Sequence, residues 1–266
     1  MKAFASLPEP FTTLNRRSSD APDSVGGKER FFLSKDAHVC RLRRHWVILD
    51  VRADQYYCIP AQEFDSLGSL VHGWKSVMPE IPAVRERSGD DTRGILNQFV
   101  LKGVLTESAR SGKALAPSGL GLPTAALGTA ESESMRGSWA LLFVTFLIAC
   151  ITADRRLRKH PFALIVKAVK DRRAGQSCPP SVIDQSKLRN LVAAFNGFRL
   201  WYPRPYLCLF DSLALLEFLA WYRIYPCWIF GVAADPFLAH CWLQDGPTVI
   251  NDVLSRVSAY SPLMSV

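Results

Sequence analysis

The chain has 266 residues, of which 48% are hydrophobic, so it can bury one large core or two smaller ones, which excludes an intrinsically disordered protein. Its formal net charge is +8. The segment 154–189 carries ten basic and three acidic residues, and therefore most of the excess positive charge. We interpret this segment as a solvated helical face, with steering of an acidic partner or contact with anionic lipid as the alternative.

Cysteine usage and the N-terminus predict a cytoplasmic protein without a bound metal. The seven cysteines are an odd number and lack the paired spacing of a zinc ribbon. The first residues, MKAFASLPEPFTTLNRR, contain prolines and an acid where a signal peptide needs an apolar run. The most apolar stretch, residues 139–153, has 15 residues, whereas about 20 are needed to cross a bilayer. This stretch therefore predicts a buried helix and no membrane span.

The composition divides the chain into two domains. Residues 106–137 are rich in Ala, Gly, Ser and Pro and lack aromatic side chains, which is typical of a flexible linker. We therefore expect a first domain over residues 28–105 and a second over residues 138–266. Residues 1–27 are expected to form a disordered tail.

The first domain is predicted to contain a β-hairpin followed by helices. In HWVILDVRADQYYCIP, residues 45–60, β-branched and aromatic residues flank RADQ, which indicates two antiparallel strands. Apolar residues at helical spacing over 64–74 predict a helix, and Thr92 can cap another that runs to Gly103. The sequence of this part shows no cluster of nucleophile, base or metal ligands. We interpret it as a binding module.

The order of these elements and the phrase VILDVRADQYYCIP resemble the small PqqD-like domains, which recognise the leader peptides of ribosomally made natural products. The resemblance covers about residues 28–105 and implies a winged-helix-like fold that adds the leader as an extra strand at its sheet edge. Nucleic acid is not expected as a partner, because DDTRGILNQFVLKG is nearly neutral and not lined with Arg and Lys. The implied leader groove is bordered by Tyr56, Tyr57, Cys58, Ile59, Ile95 and Phe99.

The second domain is predicted to contain helices followed by a small antiparallel sheet, which makes the whole chain α+β. Pro161 favours the start of a new helix, and SKLRNLVAAFNGF, residues 186–198, has one apolar face. Two prolines oppose a helix just upstream of Cys208, whereas apolar residues recur at helical spacing over 209–221. CWIFGVA, LAHCWLQ and TVIND then predict three short strands.

Three residues of the second domain have the types and order needed for thiol catalysis. Cys208 lies at a predicted helix start, where backbone N–H groups and the helix dipole favour the thiolate. His240, on the central strand, can act as its base, and Asp252, at the end of the next strand, can orient the imidazole. The other cysteines are interpreted as packing residues. A zinc site built from Cys227, His240 and Cys241 is not expected, because adjacent strand residues point to opposite faces.

A cysteine-bearing helix on an antiparallel sheet that bears His and then Asp is similar to the arrangement of the transglutaminase and papain-like superfamily. CLFDSLALLEFL, PCWIFGV, PFLAHCW and VIND resemble the leader peptidases of lasso-peptide biosynthesis, the lasso peptide B proteins, over about residues 138–266. The resemblance implies a cysteine peptidase that cuts the leader from a precursor peptide, with Cys208 as nucleophile, His240 as base and Asp252 as orienting group.

The resemblance also implies a partner, an asparagine-synthetase-like lasso cyclase that would use the freed core amine. The sequence contains no P-loop motif, and no cofactor is expected. Two alternatives stay open beside hydrolysis. One is an acyltransferase of the transglutaminase type, and the other is a noncatalytic scaffold that delivers the precursor to the cyclase.

The Asp-Gly turn in LQDGPTV predicts the register of the hairpin that carries His240. A three-residue loop over 245–247 sets His240 directly opposite Asp252. A two-residue loop over 245–246 sets it opposite Asn251 instead and turns Asp252 to the other face of the sheet. We predict the first register, because the second separates the base from its acid.

Overall fold

The computed structural model describes residues 31–61, 65, 70–73, 89–115, 121–128, 139–175 and 184–266. These residues form a mixed α+β structure with two compact units that divide close to residue 119. The tail over 1–27 lies outside the described residues, as does most of the helix predicted over 64–74.

An antiparallel meander forms one layer of the first unit. After β1 (Phe32–Ser34) come β2 (Ala37–Arg41), β3 (His45–Asp50) and β4 (Gln55–Pro60), and the last three lie side by side in that order. The Asp50 carboxylate accepts hydrogen bonds from the N–H groups of Arg52 and Ala53 at 2.9 and 3.2 Å, which fixes the turn between β3 and β4. The hairpin predicted over 45–60 is confirmed.

A helix and a second small sheet complete the first unit. Helix α1 covers Gly89–Leu101, which confirms the helix predicted from Thr92 with an earlier start. β1 pairs with both β5 (Leu105–Thr106) and β6 (Gly112–Lys113). A shared core joins α1 to the two sheets, and it includes Leu33, Trp46, Ile48, Ile59, Val71, Leu96, Phe99 and Leu115.

The stretch that the composition assigned to a linker contains paired strand segments. β5 reaches Thr106, β6 lies inside the stretch, and β7 (Ala125–Ala126) pairs in parallel with the second unit's sheet. Small residues are required for some of this pairing, because a Cβ on Gly112 would come within 2.3 Å of the Phe32 Cβ. Segments 116–120 and 129–138 lie outside the described residues. The small residues of this stretch predicted a flexible linker, but small side chains also allow strands to pair closely.

Four helices lead up to the sheet of the second unit. They are α2 (Trp139–Lys159), α3 (Phe162–Ala174), α4 (Gln185–Arg199) and α5 (Cys208–Ala220). Ten of the thirteen side chains of α5 are buried, so this helix lies at the centre of the unit. The remaining helices surround it with apolar and aromatic contacts, such as Phe195 of α4 against Phe218 of α5.

Helix α2 is not the buried helix that its apolar stretch predicted. One face is buried, and the opposite face exposes Leu141, Val144, Ile148 and Ile151. The prediction was wrong because a run that is apolar on both faces has no periodicity to distinguish an inner from an outer side. Among the described helices, none has the length and apolar character to cross a membrane.

The basic segment 154–189 is only partly the solvated face that its composition suggested. Arg156 donates to Oε1 of Glu217 at 2.6 Å, and Arg172 donates to Oε2 of the same carboxylate at 3.1 Å. Glu217 is buried in α5. Two of the ten basic side chains thus join α2 and α3 to the central helix.

A five-stranded sheet packs on α5 in the order β11-β8-β9-β10-β7. Its remaining strands are β8 (Cys227–Ala233), β9 (Leu238–Asp245), β10 (Thr248–Val249) and β11 (Ser261–Ser265). The first two predicted strands are confirmed. In the third, Thr248 and Val249 pair with β9, the Ile250 N–H donates to the Leu243 carbonyl at 2.8 Å, and the pairing ends there. A single turn, α6 (Leu254–Val257), separates β10 from β11.

Candidate active site

Cys208 is the first residue of α5, as its position after two prolines predicted. The preceding residue, Leu207, has an extended backbone with φ −135°, so the chain enters the helix abruptly. A side chain in the first turn lies close to N–H groups that have no partner within the helix, and their partial positive charge favours an anion. This placement favours the thiolate of Cys208.

His240 and Asp252 form the second part of the site. The Nε2 atom of His240 lies 2.5 Å from Oδ2 of Asp252, and both side chains are largely buried. The other carboxylate oxygen accepts the Val253 N–H at 2.7 Å and Nη1 of Arg256 at 3.1 Å. The carboxylate is therefore held from two sides, and the predicted contact between His240 and Asp252 is confirmed.

The predicted register of this hairpin is wrong, although the contact it was meant to explain exists. Asp245 pairs with Thr248 and Gln244 with Val249, so the loop has two residues, Gly246 and Pro247. Gly246 has φ +52°, the left-handed conformation that tight hairpin turns require. Neither His240–Asp252 nor His240–Asn251 is a ladder pair, because β10 ends at Val249.

Asn251 explains how the acid reaches the histidine without a ladder. Its Oδ1 accepts the backbone N–H of Leu243 at 2.7 Å, a bond that a neighbouring strand would otherwise supply. Its Nδ2 donates to Oγ of Ser212 at 3.0 Å, and Ser212 lies one turn after Cys208 on α5. Asn251 therefore lets the chain leave the sheet and delivers Asp252 to His240. Sequence reasoning assigned it no role, although a polar pair at the end of a predicted strand was a usable signal.

The pKa of Cys208 is lowered to about 4. The largest influence is a hydrogen bond from the Cys241 thiol, which stabilises the thiolate. Burial acts in the opposite direction, and a hydrogen bond with His240 and its positive charge lower the pKa further. Because Nε2 of His240 faces Asp252, Nδ1 is the ring nitrogen left for Cys208.

The pKa of His240 is raised to about 9. Burial alone would lower it, but hydrogen bonds and charge interactions with Asp252 and Cys208 outweigh burial. The pKa of Asp252 is lowered, since bonds from His240 and the Val253 N–H and the nearby cations exceed the effect of burial. At neutral pH the site therefore holds a thiolate, an imidazolium and a carboxylate in a row.

Cys241 has a larger part in the site than the packing role that the sequence suggested. Cys241 is buried, and its thiol forms a hydrogen bond with Cys208. Burial raises the pKa of Cys241 well above its usual value. It therefore remains a neutral donor beside the thiolate. Within the parts of the chain that the structure describes, no group of three or more His, Cys, Asp or Glu side chains could hold a metal ion.

The other cysteines lie apart from this row. Cys40, Cys58, Cys150 and Cys227 are free thiols, and Cys178 is outside the described residues. Burial raises the pKa of Cys40 and of Cys150 to about 12, so these two are thiols at neutral pH. Their environments are those of unreactive packing residues.

Aromatic rings enclose the imidazole. The ring of His240 lies 5.1 Å from that of Tyr260 and 6.1 Å from that of Trp242, measured between centres. Gly231 is the ladder partner of His240, and a Cβ there would come within 2.9 Å of the Trp242 ring. The glycine in CWIFGV therefore leaves space for the indole beside the histidine. Sequence reasoning missed all three of these neighbours.

The six residues implied as borders of a leader groove lie together in the first unit, but not all of them are accessible. Tyr57 of β4 meets Phe99 of α1 edge to face, with ring centres 6.1 Å apart. Tyr57, Ile59 and Phe99 are buried in the core, whereas Tyr56, Cys58 and Ile95 are partly exposed. β4 is the last strand in the order β2-β3-β4. Because three of the six side chains are buried, any contribution from them to a groove would be structural.

Comparison with known families bears on the second unit. Residues 147–265 match the model of the transglutaminase-like superfamily. This part of the chain is a transglutaminase-like domain. The matched range contains Cys208, His240 and Asp252, and it begins inside α2 and ends with β11. Searches of curated proteins and of solved structures gave no significant match to the chain.

The transglutaminase-like domain is consistent with two kinds of chemistry. Members of the superfamily are often cysteine hydrolases or acyltransferases. Both activities begin with the attack of a thiolate on a carbonyl carbon, and they differ in the acceptor that later takes the acyl group. The arrangement of Cys208 and His240 is suited to that shared first step.

Proposed function

We propose that this protein is a cysteine peptidase that removes the leader from a lasso-peptide precursor. The observation that carries the proposal is the row of Cys208, His240 and Asp252, in which His240 bonds to both of its neighbours. A preformed thiolate next to an imidazolium has the nucleophile and the acid that cleavage of a peptide bond needs.

In the proposed first half-reaction, the Cys208 thiolate attacks the carbonyl carbon of the last leader residue. The oxyanion that forms is stabilised in part by the backbone N–H of Cys208, at the start of α5. His240 then donates its proton to the leaving nitrogen, the C–N bond breaks, and the core peptide leaves as a free amine. The leader remains bound to Cys208 as a thioester.

In the second half-reaction, neutral His240 removes a proton from water, and the hydroxide adds to the thioester carbonyl. Collapse of this intermediate breaks the C–S bond, releases the leader as a carboxylic acid that loses its proton to solvent, and restores the thiolate and imidazolium. Asp252 holds the imidazole through Nε2 during both steps.

The first unit supports a peptide substrate with a separate recognition segment. Its β4 ends a three-stranded sheet, and α1 packs beside that strand through Phe99 and Tyr57. In the proposal, the leader adds to this sheet as an extended strand, so that backbone hydrogen bonds contribute most of the affinity. The core released by the second unit would pass to an asparagine-synthetase-like cyclase as the partner enzyme.

The test is mass spectrometry of a lasso-peptide precursor incubated with the full chain, with the Cys208→Ala variant as the control. Two fragments that sum to the precursor plus one water support the peptidase. An adduct formed with an added amine supports acyl transfer, which the superfamily match makes the second candidate. An unchanged precursor that still binds to the protein supports a noncatalytic scaffold and contradicts the proposal.

A further inference from the structure

The arginine that ends α4 is buried beside the helix that carries Cys208. Arg199 is only 2% exposed, and its Nε donates to Oδ1 of Asp211 at 2.5 Å. Asp211 lies in the first turn of α5, three positions after Cys208, on the same side of the helix. An ion pair with a buried arginine therefore lies on the side of α5 that carries Cys208.

Both partners of this ion pair also hold the segment that leads to Cys208. The Nη1 atom of Arg199 donates to the carbonyl of Tyr202 at 3.2 Å, and Nη2 donates to the carbonyls of Arg204 and Pro205 at 3.0 and 3.1 Å. Oδ2 of Asp211 accepts the N–H of Leu207 at 2.7 Å. The leucine side chain cannot cap the helix, so Asp211 and Arg199 fix its entry instead.

The hydrogen bonds that hold this segment do not by themselves require the charges of Arg199 and Asp211. The rings of Tyr206 and Phe210 lie 4.3 and 5.4 Å from the guanidinium carbon, so aromatic surface covers the charge of Arg199. A buried ion pair costs desolvation energy and is a weak source of stability, and an amide could accept the Leu207 N–H equally well. The charges therefore need an electrostatic explanation.

The charged and titratable groups around Cys208 identify that explanation. Cys208 interacts with His240 and Cys241 on β9 and with Asp211 on α5. Asp252 lies behind His240, and Arg199 on α4 pairs with Asp211. Further away, Cys150 on α2 interacts with Arg199, Asp211 and Arg204, and Arg204 pairs with Asp154. Asp211 is the acid of this group on the helix of Cys208 itself, and its charge opposes a thiolate. Arg199 contacts that carboxylate directly and balances its charge.

We propose that Arg199 and Asp211 are positioning residues for the nucleophile, in which Asp211 fixes the start of α5 and Arg199 cancels the carboxylate's repulsion of the Cys208 thiolate. This inference rests on the proposed role of Cys208 as the nucleophile. The two residues act through Cys208, and neither contacts a substrate in the proposal.

The test measures the rate of iodoacetamide alkylation of Cys208 against pH in the full chain, followed at the Cys208 peptide by mass spectrometry. Arg199→Gln leaves Asp211 unbalanced, so the midpoint of the alkylation profile should rise by about one pH unit. Asp211→Asn leaves the arginine charge unbalanced, so the midpoint should fall. The double variant should return close to the parent.

Opposite shifts distinguish charge balance from simple damage, which would raise the midpoint in both single variants. A rise in Asp211→Asn, or unchanged midpoints in two folded single variants, would overturn the inference. If circular dichroism shows that Arg199→Gln does not fold, Arg199→Lys replaces it: the retained charge should keep the midpoint near the parent value, and a rise equal to about one pH unit would count against the inference.

Alkylation requires no peptide, so the outcome separates this inference from the proposed function. If Cys208 of the parent protein titrates near the ordinary thiol value of 9.0, the result contradicts both the charge balance and the proposed function. If the parent has a low midpoint and both single variants shift in the same direction, the result contradicts only the charge balance.

Discussion

Cys208 and His240 have the reverse of the charge states that a free thiol and a free imidazole would have at neutral pH. The pKa of Cys208 is lowered to about 4, so its thiolate is lost only when the pH falls through that value. The pKa of His240 is raised to about 9, so the imidazolium is lost when the pH rises through that value. The pair of Cys208 thiolate and His240 imidazolium therefore exists between these two pH values.

This window predicts a bell-shaped dependence of kcat/KM on pH, with an acidic limb near 4 and a basic limb near 9. In Asp252→Ala the basic limb should move to lower pH, since the carboxylate raises the pKa of His240. Rates of leader cleavage across the pH range check both statements. A basic limb that stays in place without Asp252 would show that this acid does not hold the imidazolium.

Replacement of Cys208 by Ala should lower the cleavage rate at least about a thousandfold, because the nucleophile is removed. Leader binding should be unchanged. Cys227→Ala is the matched control, since Cys227 is a partly buried cysteine at the far end of β8. Cleavage assays and calorimetric titration with the leader provide the two measurements, and a Cys208→Ala variant that cleaves like the control would exclude this thiol as the nucleophile.

His240→Ala should be as damaging as the loss of Cys208, whereas Asp252→Ala should retain about ten times more activity, because an orienting group can be lost with the base still present. The bonds of Asp252 to Val253 and Arg256 add a structural cost to its removal. Asp252→Asn keeps an acceptor oxygen and serves as the control. Equal kcat values in the two alanine variants would not distinguish the base from the orienting group. A lower kcat in Asp252→Ala than in His240→Ala would contradict the roles given to these two residues.

Asn251 shows how a local side chain can replace part of a sheet. Its amide satisfies the N–H of Leu243 and reaches Ser212 on α5, where the oxygen that accepts it also donates to the carbonyl of Cys241 at 3.3 Å. The strand with His240, the loop with Asp252 and the helix with Cys208 therefore meet at the buried hydroxyl group of Ser212.

Asn251→Ala should lower the free energy of unfolding by about 1–3 kcal/mol, because the N–H of Leu243 loses its partner. It should also reduce cleavage, since the approach of Asp252 to His240 depends on this bond. Ser212→Ala removes the other end of the contact and should cost less stability, as the Leu243 N–H stays paired. Denaturant unfolding of both variants checks the order, and equal losses would show that the Leu243 contact is not the important one.

Sequence patterns predicted those elements that have strong local signals. The hairpin over 45–60 and the start of α5 at Cys208 follow from strand-forming residues around a turn and from prolines before an apolar repeat. The register of β9 with β10 was wrong, because the prediction required a ladder to join His240 to Asp252 and did not consider a side chain as substitute. β11 was missed because SPLMS is short and contains a proline.

Long-range contacts carry little sequence signal. Arg199 and Asp211 were not singled out, since an arginine and an acid twelve positions apart are an ordinary feature of a sequence. Cys241 was interpreted as a packing residue because it does not lie at a predicted helix start, and its hydrogen bond with Cys208 forms only in the folded structure. Cys208 and His240 could be singled out from residue type and order, whereas the groups that shift their pKa values depend on packing.

The division of the chain into two units determines which fragment can be used to test leader binding by the first unit. A fragment that ends at residue 105 lacks Thr106, β6 and the buried Leu115, all of which belong to the first unit. We expect a fragment of residues 28–119 to fold and to bind the leader, and the shorter fragment of 28–105 to be less stable. Thermal unfolding and titration calorimetry of the two fragments test this, and a shorter fragment of equal stability would contradict the boundary.

A proline in β4 should weaken leader binding more than an alanine at the same position, because backbone pairing provides the affinity in the proposal. Cys58→Pro and Cys58→Ala in the full Cys208→Ala chain form the matched pair, since Cys58 lies in the middle of β4. Equal affinities in two folded variants would argue against strand addition at this edge.

The most direct measurement of the proposed peptidase activity is cleavage of the precursor in heavy-oxygen water, followed by mass spectrometry of both products. We expect one heavy oxygen in the carboxylate of the leader fragment and none in the core, because water resolves the Cys208 thioester. We expect no product from Cys208→Ala. An intact precursor with the parent chain, or a leader fragment joined to an amine in place of the labelled oxygen, would contradict hydrolysis as the function of this site.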